Sequence, residues 1–201
     1  RRFPRRRELS FDSHRRRMTV VVDQATPIDG LGTSQGEQLA ITKGAPLELL
    51  ALCEAWLTPE GPQPLDPEAR QRAIAANNAL AARGFRVIAV ALRQGDATLE
   101  TLAPETLEQG LLLLGLIGLY DPPRPEVAEA IRQCRQAGIK VTMVTGDYGL
   151  TAEAIAHQIG LLEPRADHNQ RSGVDPVRVI EGSDLKGLSD VQLRRLLKYR
   201  S

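Results

Sequence analysis

Apolar positions in this chain follow two rhythms. A continuous run at 111–119 (LLLLGLIGL) and a shorter one at 139–144 flank a stretch of helical spacing that reaches Ala137, where Gly138 supplies a left-handed stop. A second helical stretch runs from about Leu150 to Gln158. Two apolar runs joined by a helix predict parallel, adjacent strands at 112–120 and 139–145, with a right-handed crossover and a buried sheet. In such sheets the ligand lies outside the carboxyl ends of the strands. Two polar clusters fall there, Asp121-Pro122-Pro123-Arg124 and Thr145-Gly146-Asp147. A weaker third strand is expected at 177–180 and a further helix at 188–197, with one sheet edge left unpaired.

The first half reads differently, as an antiparallel sheet with flanking helices. Short strands at 18–22 and 38–42 are separated by a polar, Gly-rich loop at 23–37, whose Gly30, Gly32 and Gly36 do not have dinucleotide-fingerprint spacing. Pro46 opens a helix expected to reach about Trp56. Asp66-Pro67-Glu68 starts another, which Gly84 ends, and 86–92 returns as a strand. A stretch at 94–109 rich in Gly, Asp and Pro reads as a tether. The domain boundary is placed at its end, giving one domain over 1–109 and another over 110–201.

Composition narrows the class. The chain has 201 residues, 42% of them hydrophobic, enough for one or two domains with a core. No apolar run approaches the ~20 residues of a membrane span, and the Arg-rich beginning lacks the apolar core of a signal peptide. Net charge is only +1, but Arg1, Arg2, Arg5, Arg6, Arg7, Arg15, Arg16 and Arg17 crowd the first residues. With three Phe, three Tyr and one Trp there is no aromatic interleaving for base stacking, so nucleic acid is not expected as a partner. The two cysteines, Cys53 and Cys134, fall in predicted helices without metal-ligand spacing to histidine, and no metal site is expected from protein ligands alone.

Thr145-Gly146-Asp147 carries candidate chemistry. A hydroxyl, a glycine admitting close backbone approach and the free N–H groups of the next helix suit a phosphoryl group. Asp147 would repel phosphate, so it acts through Mg²⁺ or a donor network. The alternative is that Thr145 and Asp147 merely cap the helix.

A set of motifs in fixed order resembles the cytoplasmic region of P-type cation-transporting ATPases, particularly the type II ion pumps. They are Phe11-Asp12-Ser13-His14-Arg15-Arg16-Arg17-Met18, Lys43-Gly44-Ala45-Pro46, Arg83-Gly84-Phe85-Arg86, Asp121-Pro122-Pro123-Arg124, Thr145-Gly146-Asp147, Val179-Ile180-Glu181-Gly182 and Leu188-Ser189-Asp190. The chain departs from the usual pattern at His14, often acidic, and at Leu47, often Glu.

The resemblance implies an α+β nucleotide-binding domain followed by a partial α/β, haloacid dehalogenase-like (Rossmannoid) phosphorylation domain with parallel strands. It assigns Phe11, Arg16, Met18, Lys43, Gly44, Arg86, Asp121 and Arg124 to ATP. Phe11 would stack on adenine and Met18 pack below it, with Lys43 reaching the ligand past Gly44. Arg16 and Arg86 would meet the phosphates, Asp121 and Arg124 would act at the hinge, and Thr145, Gly146 and Asp147 would be catalytic. ATP and Mg²⁺ are the implied cofactors. The phosphorylated Asp-Lys-Thr-Gly-Thr and the distal Gly-Asp-Gly-x-Asn-Asp are absent. The chain is therefore expected to be the cytoplasmic portion of an integral membrane protein and inactive alone. Its partners would be ATP, the remaining nucleotide and phosphorylation segments, the actuator domain and the membrane helices of the same parent. A soluble phosphatase of the dehalogenase-like superfamily and a non-catalytic nucleotide-sensing module are the alternatives. The first predicts an Asp-x-Asp nucleophile, which is missing.

Overall fold

The computed structural model describes residues 3–24, 36–162, 180, 182–185 and 187–198. They form two compact units, Arg1–Leu80 with Val87–Leu119 and Ala81–Arg86 with Tyr120–Ser201. The expected Gly-rich loop and third strand fall largely outside the described residues.

The strands of the first unit are β1 (Arg5–Asp12), β2 (Arg17–Asp23), β3 (Gln38–Gly44), β4 (Cys53–Thr58), β5 (Gly61–Pro64), β6 (Arg86–Gly95) and β7 (Leu111–Leu119). They make one seven-stranded sheet in the order β1-β2-β3-β6-β7-β4-β5. Strands β1, β2, β3 and β6 run antiparallel in turn, as do β4 and β5, whereas β4 and β7 are parallel. The sheet is thus mixed, not purely antiparallel, and the class is α+β. Its outer strands are poor templates for further pairing: β1 is largely charged, and β5 carries Pro62 and Pro64.

One expectation is overturned here. The run at 111–119 does enter a parallel pair, but its partner is β4, with Cys53 opposite Leu111 and Trp56 opposite Leu113. Residues 139–145 form no strand. The core explains the choice. Leu111 and Leu113 are buried among Leu49, Leu50, Leu65, Ala69, Ala89 and Ala91, so β7 closes the first unit's core and belongs with it. Ile139, at 57% exposure, and Val144, at 91%, have no such cover. The compact units part after Leu119.

The helix begun by Pro46 is also shorter than its sequence suggests. Helix α1 spans Pro46–Leu50, and Cys53 to Trp56 lie in β4. Helix α2 (Pro67–Ala81) supplies the reason: the Arg70 guanidinium donates to the carbonyls of Leu50 and Cys53, taking up acceptors that a continuing helix would use. Helix α2 itself begins as predicted, with Asp66 Oδ1 accepting from the Ala69 N–H at 2.7 Å. The expected tether is packed structure. A 3₁₀ turn, Leu99–Thr101, and α3 (Pro104–Leu107) bury Leu99 and Leu107 against Val21 and Ala40.

The second unit holds α4 (Glu126–Gln136), α5 (Gly149–Gln158), α6 (Gly182–Leu185) and α7 (Asp190–Lys198). Gly138 ends α4 at φ +70°, with the Ile139 N–H reaching back to the Cys134 carbonyl at 2.8 Å, a Schellman closure. The Phe85 and Tyr120 rings meet at a tilt of 40° with centroids 5.2 Å apart, and the Thr151 hydroxyl donates to the Phe85 carbonyl, tying 81–86 to this unit.

Candidate functional site: one open face of the first sheet

Strand register decides which motif residues share a face. Met18 lies directly opposite Lys43, and Lys43 opposite Val90. Paired residues of an antiparallel sheet project to the same side, so these three stand together. Their neighbours Thr19, Thr42 and Ala91, also mutually opposite, project to the other side and are buried. The Met18 side is more open: Lys43 is exposed, Met18, Val20 and Val90 are half-buried, and Ile41 is 37% exposed.

Phe11 joins this face through a bulge. Leu9 pairs with Thr19 and Asp12 with Arg17, so three residues of β1 advance against two of β2. The extra residue changes the alternation and turns Phe11 to the Met18 side, where it is 65% exposed. An exposed aromatic ring, a half-buried thioether, a short apolar strip and a lysine suit a purine carrying phosphates. A depression of about 290 Å³ adjoins Val90, lined by residues 114–117. A larger groove, about 780 Å³, lies around Glu54, Arg93 and Gln109 and shares none of these residues.

The turn from β1 to β2 is closely specified. Asp12 Oδ1 accepts from the N–H groups of His14 and Arg15, at 2.9 and 2.8 Å, and the Arg16 N–H donates to the Asp12 carbonyl. Those backbone donors, that of Arg15 foremost, hold the Asp12 carboxyl below its ordinary pKa. Arg16 has φ +52°, and its guanidinium pairs with Glu48 at 2.7 Å. Glu48 stands next to Leu47, where the family pattern often has its acid. Gly44 does more than clear a path for Lys43. A Cβ there would stand 2.5 Å from Arg17 Cβ and 2.6 Å from the Arg16 carbonyl oxygen, so glycine permits the contact of β3 with the turn.

Behind the sheet lies a cluster that sequence reading missed. Glu108, with 1% of its side chain exposed, accepts from Arg15 at 2.5 Å, Arg17 at 2.7 Å and the Thr19 hydroxyl at 2.6 Å. Thr19 and Thr42 hydroxyls meet at 2.9 Å beside it. Burial pushes the Glu108 pKa up, but the hydrogen bonds from Arg15, Thr19 and Arg17 outweigh it, and the carboxyl lies below its usual range. The one signal for it was the alternation of Arg15 and Arg17 about Arg16.

In the second unit, Arg86 and Asp147 form an ion pair, Nε to Oδ1 at 3.3 Å. Thr145 Oγ1 accepts from the Asp147 N–H at 3.1 Å and donates to Asp147 Oδ2 at 3.2 Å. The N-cap of α5 is Tyr148, with no side-chain capping hydrogen bond there, so neither Thr145 nor Asp147 stands at the cap position. Gly146 has open space where a Cβ would be. Asp121 and Arg124 are exposed in the irregular stretch before α4. Among the described residues there is no group of three His, Cys, Asp or Glu able to hold a metal ion. One carboxylate already paired with a guanidinium does not make a magnesium site, so phosphate oxygens and water would have to supply most ligands.

The model of the P-type ATPase cytoplasmic domain N matches residues 1–126, which include the whole seven-stranded sheet. The chain is 37% identical over 192 residues to a calcium-transporting ATPase of Bacillus subtilis, covering 95% of this chain and 19% of that protein. It is 35% identical to a sodium/potassium exporting P-type ATPase of Schizosaccharomyces pombe (94% and 17% covered), and 38% identical over 151 residues to a plasma-membrane-type calcium-transporting ATPase of Arabidopsis thaliana (74% and 13%). This chain therefore spans less than a fifth of the length of these relatives. By its match to the domain model over residues 1–126, with the identity to these relatives beside it, the chain belongs to the P-type ATPase family.

Proposed function

We propose that this chain is the ATP-binding part, with the beginning of the phosphorylation domain, of a type II cation-transporting P-type ATPase. One observation carries the reading: Phe11, Met18 and Lys43 share an open face of a sheet whose other face is core. Adenine lies against Phe11 and Met18, and Lys43, Arg16 and Arg86 meet the triphosphate. In the whole protein ATP phosphorylates an Asp outside this chain, and the phosphoenzyme's hydrolysis drives a cation across a membrane. Phosphoryl transfer is mostly positioning and charge stabilisation, which suits a site of cations without a base of its own.

The second unit is the first part of a dehalogenase-like phosphorylation domain, completed by other segments of the parent. Thr145, Gly146 and Asp147 act there towards the transferred phosphoryl group, and Asp121 and Arg124 act at the hinge. No described helix is long and apolar enough to cross a membrane. The chain faces the cytoplasm, and the actuator domain and membrane helices belong to the rest of the parent.

ATP titration followed by amide shifts tests the nucleotide reading. Shifts at Phe11, Met18 and Lys43 are expected, and saturable shifts confined to residues away from them would overturn it. Alone, the chain forms no phosphoenzyme, because the nucleophilic Asp is missing from it. Acid-stable label from γ-labelled ATP would contradict that.

A further inference from the structure

We infer that Glu108 is a positioning residue for the nucleotide, acting through the Arg15–Arg17 turn from the far side of the sheet. The inference rests on the nucleotide reading of the Phe11 face. Glu108 takes Arg15 on one carboxylate oxygen and Arg17 on the other, with Thr19 sharing the first. Both arginines are largely covered, their side chains 28% and 16% exposed. Two arms of the turn are thereby drawn to one side of the sheet. The residue between them, Arg16, has φ +52° and pairs with a different carboxylate, Glu48.

That conformation is costly for a residue with a Cβ and persists only where its surroundings overdetermine it. Here they do. The Asp12 carbonyl holds the Arg16 N–H, the Ala45 N–H donates to the Arg16 carbonyl at 3.0 Å, and Glu108 fixes the residues on either side. A buried ionic cluster is weak evidence for stability, since well-packed apolar side chains often do as well. What this one supplies is direction. It sets the turn that follows the bulge carrying Phe11, and so sets where Phe11 and Arg16 stand relative to Lys43.

The test measures ATP affinity of the 201-residue chain by calorimetry, with circular dichroism as the check on folding. Glu108→Gln keeps the shape and removes the charge. It is expected to lower affinity by about tenfold, a hydrogen-bonded charge's worth of geometry. In a Phe11→Ala background the same change should cost little more, because its effect passes through the ring already removed. A folded Glu108→Gln chain binding within about twofold of the parent overturns the inference, as do losses that simply multiply. If Glu108→Gln does not fold, Arg15→Gln, which leaves Arg17 and Thr19 on the carboxylate, must show a smaller loss with the same non-additivity; unchanged affinity there overturns it equally. Failure of the nucleotide reading looks different: the parent does not bind ATP, or Phe11→Ala and Lys43→Ala bind as it does. The amide shifts of Phe11 and Arg16 then decide the turn alone. They must move in the folded Glu108 or Arg15 variant, and their constancy refutes the coupling.

Discussion

Gly44 and Arg17 are directly opposed across β2 and β3, and only the absence of a side chain on Gly44 lets them meet: an added Cβ would lie 2.5 Å from that of Arg17. Gly44→Ala must therefore move backbone, since the nearest atoms also include the Arg16 carbonyl oxygen and Arg17 Cα. A cost of about 1–3 kcal/mol is expected, as for other overpacked sites. The urea midpoint reads it, and an unchanged midpoint would show that the turn yields freely.

Phe11→Ala should separate binding from stability. The ring is 65% exposed, so the change is expected to alter unfolding free energy by less than about 0.5 kcal/mol. ATP affinity should fall by ~1–3 kcal/mol, the range of aromatic–base stacking. A large drop in melting temperature would mean that the ring packs rather than binds.

Acid should release the Glu108 cluster. Its folded pKa lies below the ordinary 4.5, so the unfolded chain binds the proton more readily. The stabilisation is complete above that ordinary value and is lost as pH falls through the folded pKa. Glu108→Gln should thus be less stable than the parent at pH 7, with the gap closing in acid. Urea midpoints at neutral pH and at about pH 3 check this, and a gap that widens in acid would reverse the assignment.

The two thiols should react unequally. Cys53 is buried, donates to the Leu49 carbonyl, and burial pushes its pKa up to about 12, with Arg70 opposing. Cys134 lies half-buried in α4. Alkylation of the folded chain at pH 8, with peptide mapping, should mark Cys134 first and Cys53 only after unfolding, because thiolate and access are both needed. Equal labelling of the folded chain would contradict the burial of β4.

The helices with local stop signals were legible. Asp66 announced α2, and Gly138 announced the end of α4, because caps are decided within a few residues. Strand partners were not. The apolar run at 111–119 signals a strand, but not which neighbour covers it, and β4 was hidden under a helix-like opening at Pro46. The motif residues of the open face could be named, yet the bulge that turns Phe11 onto it and the carboxylate behind it depend on pairing between distant segments. Glu108 looks like any surface glutamate until Arg15, 93 residues away, is seen beside it.

Strand β7 sits between β6 and β4, so it joins four strands on one side to two on the other. In a chain emerging from the ribosome, that joint is the last part of the sheet to be made. Until 111–119 has been synthesised, β6 and β4 lack the strand that stands between them, and Leu49, Leu50 and Ala89 lack the part of their core that Leu111 and Leu113 supply. The domain should then become protease-resistant abruptly when β7 clears the exit tunnel, not by degrees. Nascent chains stalled at successive lengths would show that step, and gradual protection would show that the halves stand alone.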